Sequence, residues 1–278
     1  MKAILSEAKK DMTYDYGVHD ISNADYHNSS AISRSSLMLM LKSAYHYKNK
    51  DMVEFKESKS MRIGSMVHTL MMEPHLFDDE YVIQPEFNKR TKAGKEDFAL
   101  WSETVKGKVI STIEEMETVR LMHSSLNGNK QIAQLFKDAD IEKSIFWQDI
   151  ETGLALKARP DAWKGNLVID LKTTKDASMR KFMYSCIDYG YFLQAAMIRE
   201  SLRSIGQELE QYVIVCVENT APYAHAIYVV DEVAMDWGYN QFRYCLNKLS
   251  DCMMAGVWPS YDTQMISVPE YLRKSEDE

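Results

Sequence analysis

The stretch ARPDAWKGNLVIDLKTT, residues 158–174, constrains the fold more than any other part of the chain. Leu167-Val168-Ile169 is a run of apolar, mostly β-branched residues that reads as a central strand, and Lys164-Gly165-Asn166 before it reads as a turn. Yet the strands on either side of that turn carry Asp161, Asp170 and Lys172. A carboxylate left alone in a buried sheet costs several kcal/mol, so each needs a partner, a metal ion or a wet cleft. Side chains alternate along a strand, so Asp170 and Lys172 share one face. Leu171 points the other way into the core, leaving its carbonyl near the Asp170 carboxylate. Two aspartates and a carbonyl at a strand end make an oxygen-rich site that suits Mg²⁺ or Mn²⁺ better than zinc.

The remaining pattern surrounds this pair with helices. Ser33 reads as the N-cap of an amphipathic helix with Leu37, Leu41 and Tyr45 on one face. MRIGSMVHTLMMEP has helical spacing and stops at Pro74, which puts His68 on a second helix. FNKRTKAGKEDF reads as a mobile basic loop, followed by a long helical pattern from Phe98 to about Asn127 and a short helix at NKQIAQLF. EKSIFWQDI and GLALKARPDAW read as strands joined by a hairpin at Glu151-Thr152-Gly153. Residues 176–206 are helical, QYVIVCVEN and YAHAIYVV are strands, and DEVAMDWGYNQFRYCLNKLSDCMMAG is a long helix before an extended tail. The expected fold is α/β: a central mixed sheet flanked by helices, with a helical N-terminal part, in one domain spanning 1–278 whose ends, about 1–16 and 273–278, are flexible.

Composition narrows the partners. The net charge of −8 excludes a coat of basic residues. Residues 157–181, however, hold seven Lys/Arg against three Asp, a pattern that fits a nucleic-acid site confined to one cleft or channel. No apolar run approaches the roughly 20 residues of a membrane helix, and the N-terminal segment does not read as a signal peptide. Cys186, Cys216, Cys245 and Cys252 include no CxxC pair and read as reduced cytoplasmic thiols.

The arrangement Asp161…Asp170-x-Lys172, preceded by Pro160, resembles the PD-(D/E)xK nuclease superfamily. His68 in GSMVHTL is similar to the helical histidine of its RecB-like branch, Glu142 to an upstream acidic residue, and Gln194 in GYFLQAAMI to a glutamine on the following helix. With RTKAGK, the opening ISNADYHNS…ISRSSL and the late WPSYDTQMISVPEYL, residues of about 17 to 272 resemble the nuclease domain of RecE-type exonucleases (the exonuclease VIII family). Asp170 stands where many superfamily members have Glu.

The resemblance implies a Mg²⁺-dependent exonuclease, with Mn²⁺ as substitute, that degrades one strand of linear duplex DNA 5′ to 3′ and releases 5′-mononucleotides. The 3′ tails left behind would serve recombination by strand annealing. It implies two metal ions held by Asp161, Asp170 and the Leu171 carbonyl, with His68 and Glu142 completing the set. Lys172 would position a water or balance charge, and Gln194 would contact phosphate or hold the lysine. Arg34 at the start of the Ser33 helix is a candidate for the terminal 5′-phosphate, and Arg159, Lys89, Arg90, Lys92, Lys95 and Lys175 for the DNA backbone. Expected partners are DNA ends, copies of the chain in a ring, most simply a tetramer, and a single-strand annealing protein. The expected setting is the cytoplasm of a bacterial cell, encoded by a phage or prophage, with no membrane. The alternatives are a structure- or site-specific endonuclease on the same core, or a non-catalytic DNA-binding or assembly module.

Overall fold

In the computed structural model, which describes residues 14–53 and 56–268, the charged strand pair lies in the middle of a mixed sheet. The strands in chain order are β1 (Gly17–His19), β2 (Tyr81–Ile83), β3 (Val109–Ser111), β4 (Asp140–Ile141), β5 (Ser144–Gln148), β6 (Ala155–Ala158), β7 (Ala162–Lys164), β8 (Leu167–Thr174), β9 (Gln211–Glu218) and β10 (His225–Val229). Five form the central sheet in the order β10-β9-β8-β7-β4. β8 and β9 run parallel and the other neighbours antiparallel. β1, β5 and β6 form a separate antiparallel sheet, and β2 and β3 a short parallel pair.

Both faces of the central sheet are buried. On the face carrying Val168, Tyr212, Ile214 and Cys216 lie the helices Met179–Asp188, Tyr191–Ser204 and Glu232–Ala255, which contribute Phe182, Leu193, Met197, Phe242 and Leu246. On the face carrying Ile169, Leu171, Val213 and Val215 lie the helices Lys59–Met72, Ile113–Asn127 and Lys130–Phe136, with Met66, Met122 and Ile132. Parallel strands cannot be joined by a tight turn, and the helices Met179–Asp188 and Tyr191–Ser204 make the crossover from β8 to β9. The four cysteines are free and buried. No helix among the described residues is long and apolar enough to cross a membrane.

Several expectations need correction. GLALKARPDAW is not one strand: β6 ends at Ala158, the chain leaves the three-stranded sheet through Arg159-Pro160-Asp161, and β7 joins the central sheet. Pro160 has no N–H to offer a ladder, which suits it to this junction. The face Leu37, Leu41, Tyr45 is also wrong. The helix breaks at Met38 and again at Ser43, whose extended backbone starts a new cap on His46 N–H, so Leu37, Met40 and Ala44 are buried while Leu41 and Tyr45 are exposed. FNKRTKAGKEDF is not a loop throughout. Thr91 caps a helix from Lys92 to Thr104, and Gly94 packs so closely on Asn88 that a Cβ would lie 2.2 Å from its carbonyl oxygen. The long pattern from Phe98 to Asn127 is accordingly two helices separated by β3. At the N-terminal end Tyr14 stacks on Phe146 at 4.8 Å. The rest of the ends expected to be flexible, 1–13 and 273–278, lies outside the described residues.

Candidate active site

The site forms where β7 begins and β8 leaves its core. The Leu171 N–H has no partner on β7, which pairs only as far as Ala162 with Ile169. The Asp161 carboxylate fills that gap, its Oδ2 accepting the Leu171 N–H at 2.7 Å. This satisfies a buried backbone donor and fixes Asp161 at the same time. On the other side, His68 Nε2 lies 2.6 Å from the Leu171 carbonyl oxygen. A carbonyl can only accept, so Nε2 carries the hydrogen, and in the neutral ring Nδ1 is the nitrogen with the lone pair. Nδ1 faces Asp161, 3.8 Å from Oδ2. Gly64, one turn before His68, lets the helix approach β8: a Cβ there would lie 3.2 Å from Thr173 Oγ1.

Glu142 completes the group. It follows β4 with a left-handed backbone, φ 51°, a conformation that costs a non-glycine residue on the order of 1 kcal/mol or more. Its N–H donates to the Asp161 carbonyl at 3.1 Å, which ties the two acids together. His68, Glu142 and Asp161 each offer a ligand atom, and the three lie within 4.8 Å of one another. Burial, and after it the charge of Asp161, pushes the Glu142 carboxyl up to about 8, against the pull of Arg159. One imidazole nitrogen and two carboxylates that cannot both ionise comfortably form a donor set that fits a divalent cation.

Asp170 stands apart from these three. It is 1% exposed, its Oδ1 accepts from Gln194 Nε2 at 2.7 Å, and its Oδ2 lies 2.5 Å from Lys172 Nζ. Burial, with Asp161 adding to it, raises the Asp170 carboxyl despite Lys172. Burial also works against the Lys172 charge, but Asp170 and Asp161 outweigh it and hold the ammonium above its usual value. Gln194 therefore holds the acid here, not the lysine. The Leu171 carbonyl, expected to face a metal, accepts from His68.

Around these groups is a cleft of about 500 Å³ whose lining includes His68, Glu142, Arg159, Leu171 and Lys172. Arg159 is spent on the protein: it donates to Ser144 Oγ at 2.8 Å and to the Ile21 carbonyl at 3.0 Å, and its guanidinium lies over Tyr26. Arg34 donates to the Tyr189 carbonyl and lies 5.8 Å from the Tyr191 ring centre. The helix it opens is four residues long and closed by a capping box of Ser33 and Ser36, too short for a helix dipole to bind phosphate. Lys89 and Arg90 line a different cleft, with Lys89 over Phe98, while Lys92 lies 3.9 Å from Glu96 and Lys95 is exposed on the same helix. Lys175 lines a cavity adjoining the active-site cleft.

Sequence reasoning missed Tyr191, whose ring centre lies 5.0 Å from Lys172 Nζ, and Tyr212, a buried phenol that Asp170 and Asp161 help push well above its ordinary value after burial. Tyr191 sits three residues before Gln194 and so on the same helix face, a spacing that could have found it. It also missed Asp20, Glu73 and Glu80, which line the cleft from loops and a short helix with no periodic signal.

The fold has a counterpart. A candidate exonuclease from Eubacterium rectale, known from its crystal structure, superposes with a TM-score of 0.65 over 94% of this chain and 100% of its own, at 12% identity, which shows a shared fold. A second solved structure, described as SSO0001, aligns with 80% of this chain and 86% of its own at 14% identity, but its TM-score of 0.27 carries no argument. No curated protein matches the chain. The family model for the PDDEXK-like domain of unknown function DUF3799 matches residues 33–268, a span that contains His68, Glu142, Asp161, Asp170, Lys172 and Gln194. The chain belongs to this PDDEXK-like family.

Proposed function

We propose that the chain is a Mg²⁺-dependent exodeoxyribonuclease of the RecE type, acting on linear double-stranded DNA. The observation that carries this reading is the convergence of His68 Nδ1, Glu142 and Asp161 beside Lys172 at the edge of an open cleft. The likeness in fold to a candidate exonuclease supports it. A divalent cation held by these three residues would polarise the scissile phosphodiester and lower the pKa of the attacking water. The chain's own residues do the rest. Asp161 is held in place by the Leu171 N–H, and His68 by the Leu171 carbonyl. Glu142, whose carboxyl is raised without a cation, would ionise on joining such a donor set. Lys172 keeps its proton near the place where negative charge grows on the phosphate, and Gln194 keeps Asp170 aimed at that lysine. Mg²⁺ or Mn²⁺ suits the mostly oxygen donor set. A second cation would need Asp170 to exchange Lys172 for metal.

The same reading includes 5′-to-3′ polarity, 5′-mononucleotide products with 3′ tails for annealing, and a ring of copies, most simply four, that encloses the duplex. It includes a single-strand annealing protein as partner and a phage or prophage origin in a bacterial cytoplasm. A time course on linear duplex labelled at the 5′ or the 3′ end, beside covalently closed circular duplex, tests it. The reading predicts Mg²⁺-dependent loss of the 5′ label first and an intact circle. Nicking of the circle at a comparable rate contradicts it in favour of an endonuclease.

A further inference from the structure

The active-site cleft continues past Lys172. Gly64, Thr173 and Tyr191 line it and also line an adjoining cavity of about 590 Å³. Each volume is within the range of sites that enclose a small ligand, roughly 300–1,000 Å³. The second cavity differs in chemistry from the first. Where the first is bounded by Asp20, Glu73, Glu80 and Glu142, the second brings together Lys175 and Lys181, the hydroxyls of Ser58 and Ser60, and the ring of Tyr189. Lys175, Lys181 and Tyr189 are exposed, and neither lysine forms a salt bridge among the described residues. Ser58 accepts from the Met61 N–H at 3.2 Å, which leaves its own O–H to donate. Tyr189 is 62% exposed and its ring centre lies 5.9 Å from that of Tyr191, so an aromatic face stands open at the boundary of the two cavities. Asp176 brings one carboxylate into the same space, with its Oδ1 engaged by the Ser178 N–H at 2.9 Å; two lysines outnumber it.

Ammonium groups, hydroxyl donors and an open aromatic ring are the three elements by which proteins hold a single nucleic-acid strand. The first two meet phosphates and the third stacks a base. Any substrate longer than one nucleotide must run from the cutting site into neighbouring space. A chain of net charge −8 repels such a strand overall, so local positive charge has to hold it. We infer that the second cavity is a binding track for the DNA strand on one side of the scissile phosphate, with Lys175 and Lys181 on phosphates and Tyr189 under a base. The inference rests on the nuclease reading for the identity of the strand. The track is sequence-tolerant, because its groups read backbone and stacking faces rather than base edges.

Binding of a short fluorescent single-stranded oligodeoxynucleotide, measured by anisotropy over a salt series with Ca²⁺ in place of Mg²⁺, tests it without turnover. Each phosphate contact on a single strand contributes about 0.7 to the slope of log K against log salt. The double variant Lys175→Ala/Lys181→Ala should therefore lose about 1.4 from that slope, and Tyr189→Ala should weaken binding about tenfold while leaving the slope in place. All three side chains are on the surface, so melting temperatures should match that of the unsubstituted protein. Slope and affinity unchanged in the double variant overturn the track. The expected loss of slope in the double variant together with no Mg²⁺-dependent cleavage of any DNA refutes the nuclease reading and leaves a single-strand track standing.

Discussion

Glu142 offers a test of the site that needs neither substrate nor metal. Its carboxyl is raised from 4.5 to about 8, first by burial and then by Asp161. Below pH 4.5 the folded and unfolded chains both hold the proton, and the contribution to stability is complete. Between 4.5 and about 8 the folded chain alone holds it, so stability falls as pH rises and levels off above about 8. At about 1.4 kcal/mol per pH unit the ceiling is about 5 kcal/mol. The Glu142 side chain keeps 27% of its surface in water, which screens the charge and brings the observable loss to about 2 kcal/mol. Glu142→Gln keeps the shape and removes the titration. Urea unfolding in the presence of a chelator, at about pH 5 and about pH 9, should show the unsubstituted protein losing about 2 kcal/mol more than the variant over that interval. Mg²⁺ added in excess of the chelator at the higher pH should recover the lost stability, since a cation stabilises the ionised carboxylate. Parallel pH profiles for the two proteins would refute the reasoning, because they would mean that Glu142 ionises as freely in the fold as outside it.

Gln194→Ala should lower stability by about 1–3 kcal/mol in urea unfolding, because Asp170 Oδ1 is left without its donor in a site that is 1% exposed. Gly238→Ala should cost at least about 3 kcal/mol, read as a lower melting temperature, since its Cβ would lie 2.0 Å from the Phe192 carbonyl oxygen where two helices cross. Gly64→Ala should behave differently. The helix gains about 1 kcal/mol of propensity, but its Cβ meets Thr173 Oγ1 at 3.2 Å and the helix bearing His68 must shift. Calorimetric titration with Mn²⁺ should then show about a tenfold weaker affinity with little change in melting temperature.

The parts of the fold legible in the sequence are those governed by local chemistry. The β8 strand, the Gly165-Asn166 turn and the helix that stops before Pro74 follow from alternation, turn residues and a proline, and the structure has them all. In the region 33–48 the apolar residues also fit an unbroken helix, and nothing local signals that Ser43 turns extended and starts a new cap. In RTKAGK the run of charges hid a Thr91 cap whose value depends on Gly94 packing against Asn88. At the site, the sequence places Asp170 and Lys172 on one face but says nothing of which carboxylates meet. Asp161 turns to the Leu171 N–H because β7 begins only at Ala162, and Glu142 reaches Asp161 only through a left-handed residue at the end of β4. Both depend on how two sheets join, which is a long-range property. The pairing of Asp170 with Gln194 spans 24 residues and a crossover, beyond any local pattern.

Anomalous diffraction from crystals of the protein soaked in Mn²⁺ addresses the central claim most directly. The account predicts a strong peak among His68 Nδ1, Glu142 and Asp161, lost in Asp161→Asn crystals. Crystals without a peak there, or with the metal bound elsewhere and Glu142 and Asp161 unmoved, would contradict it.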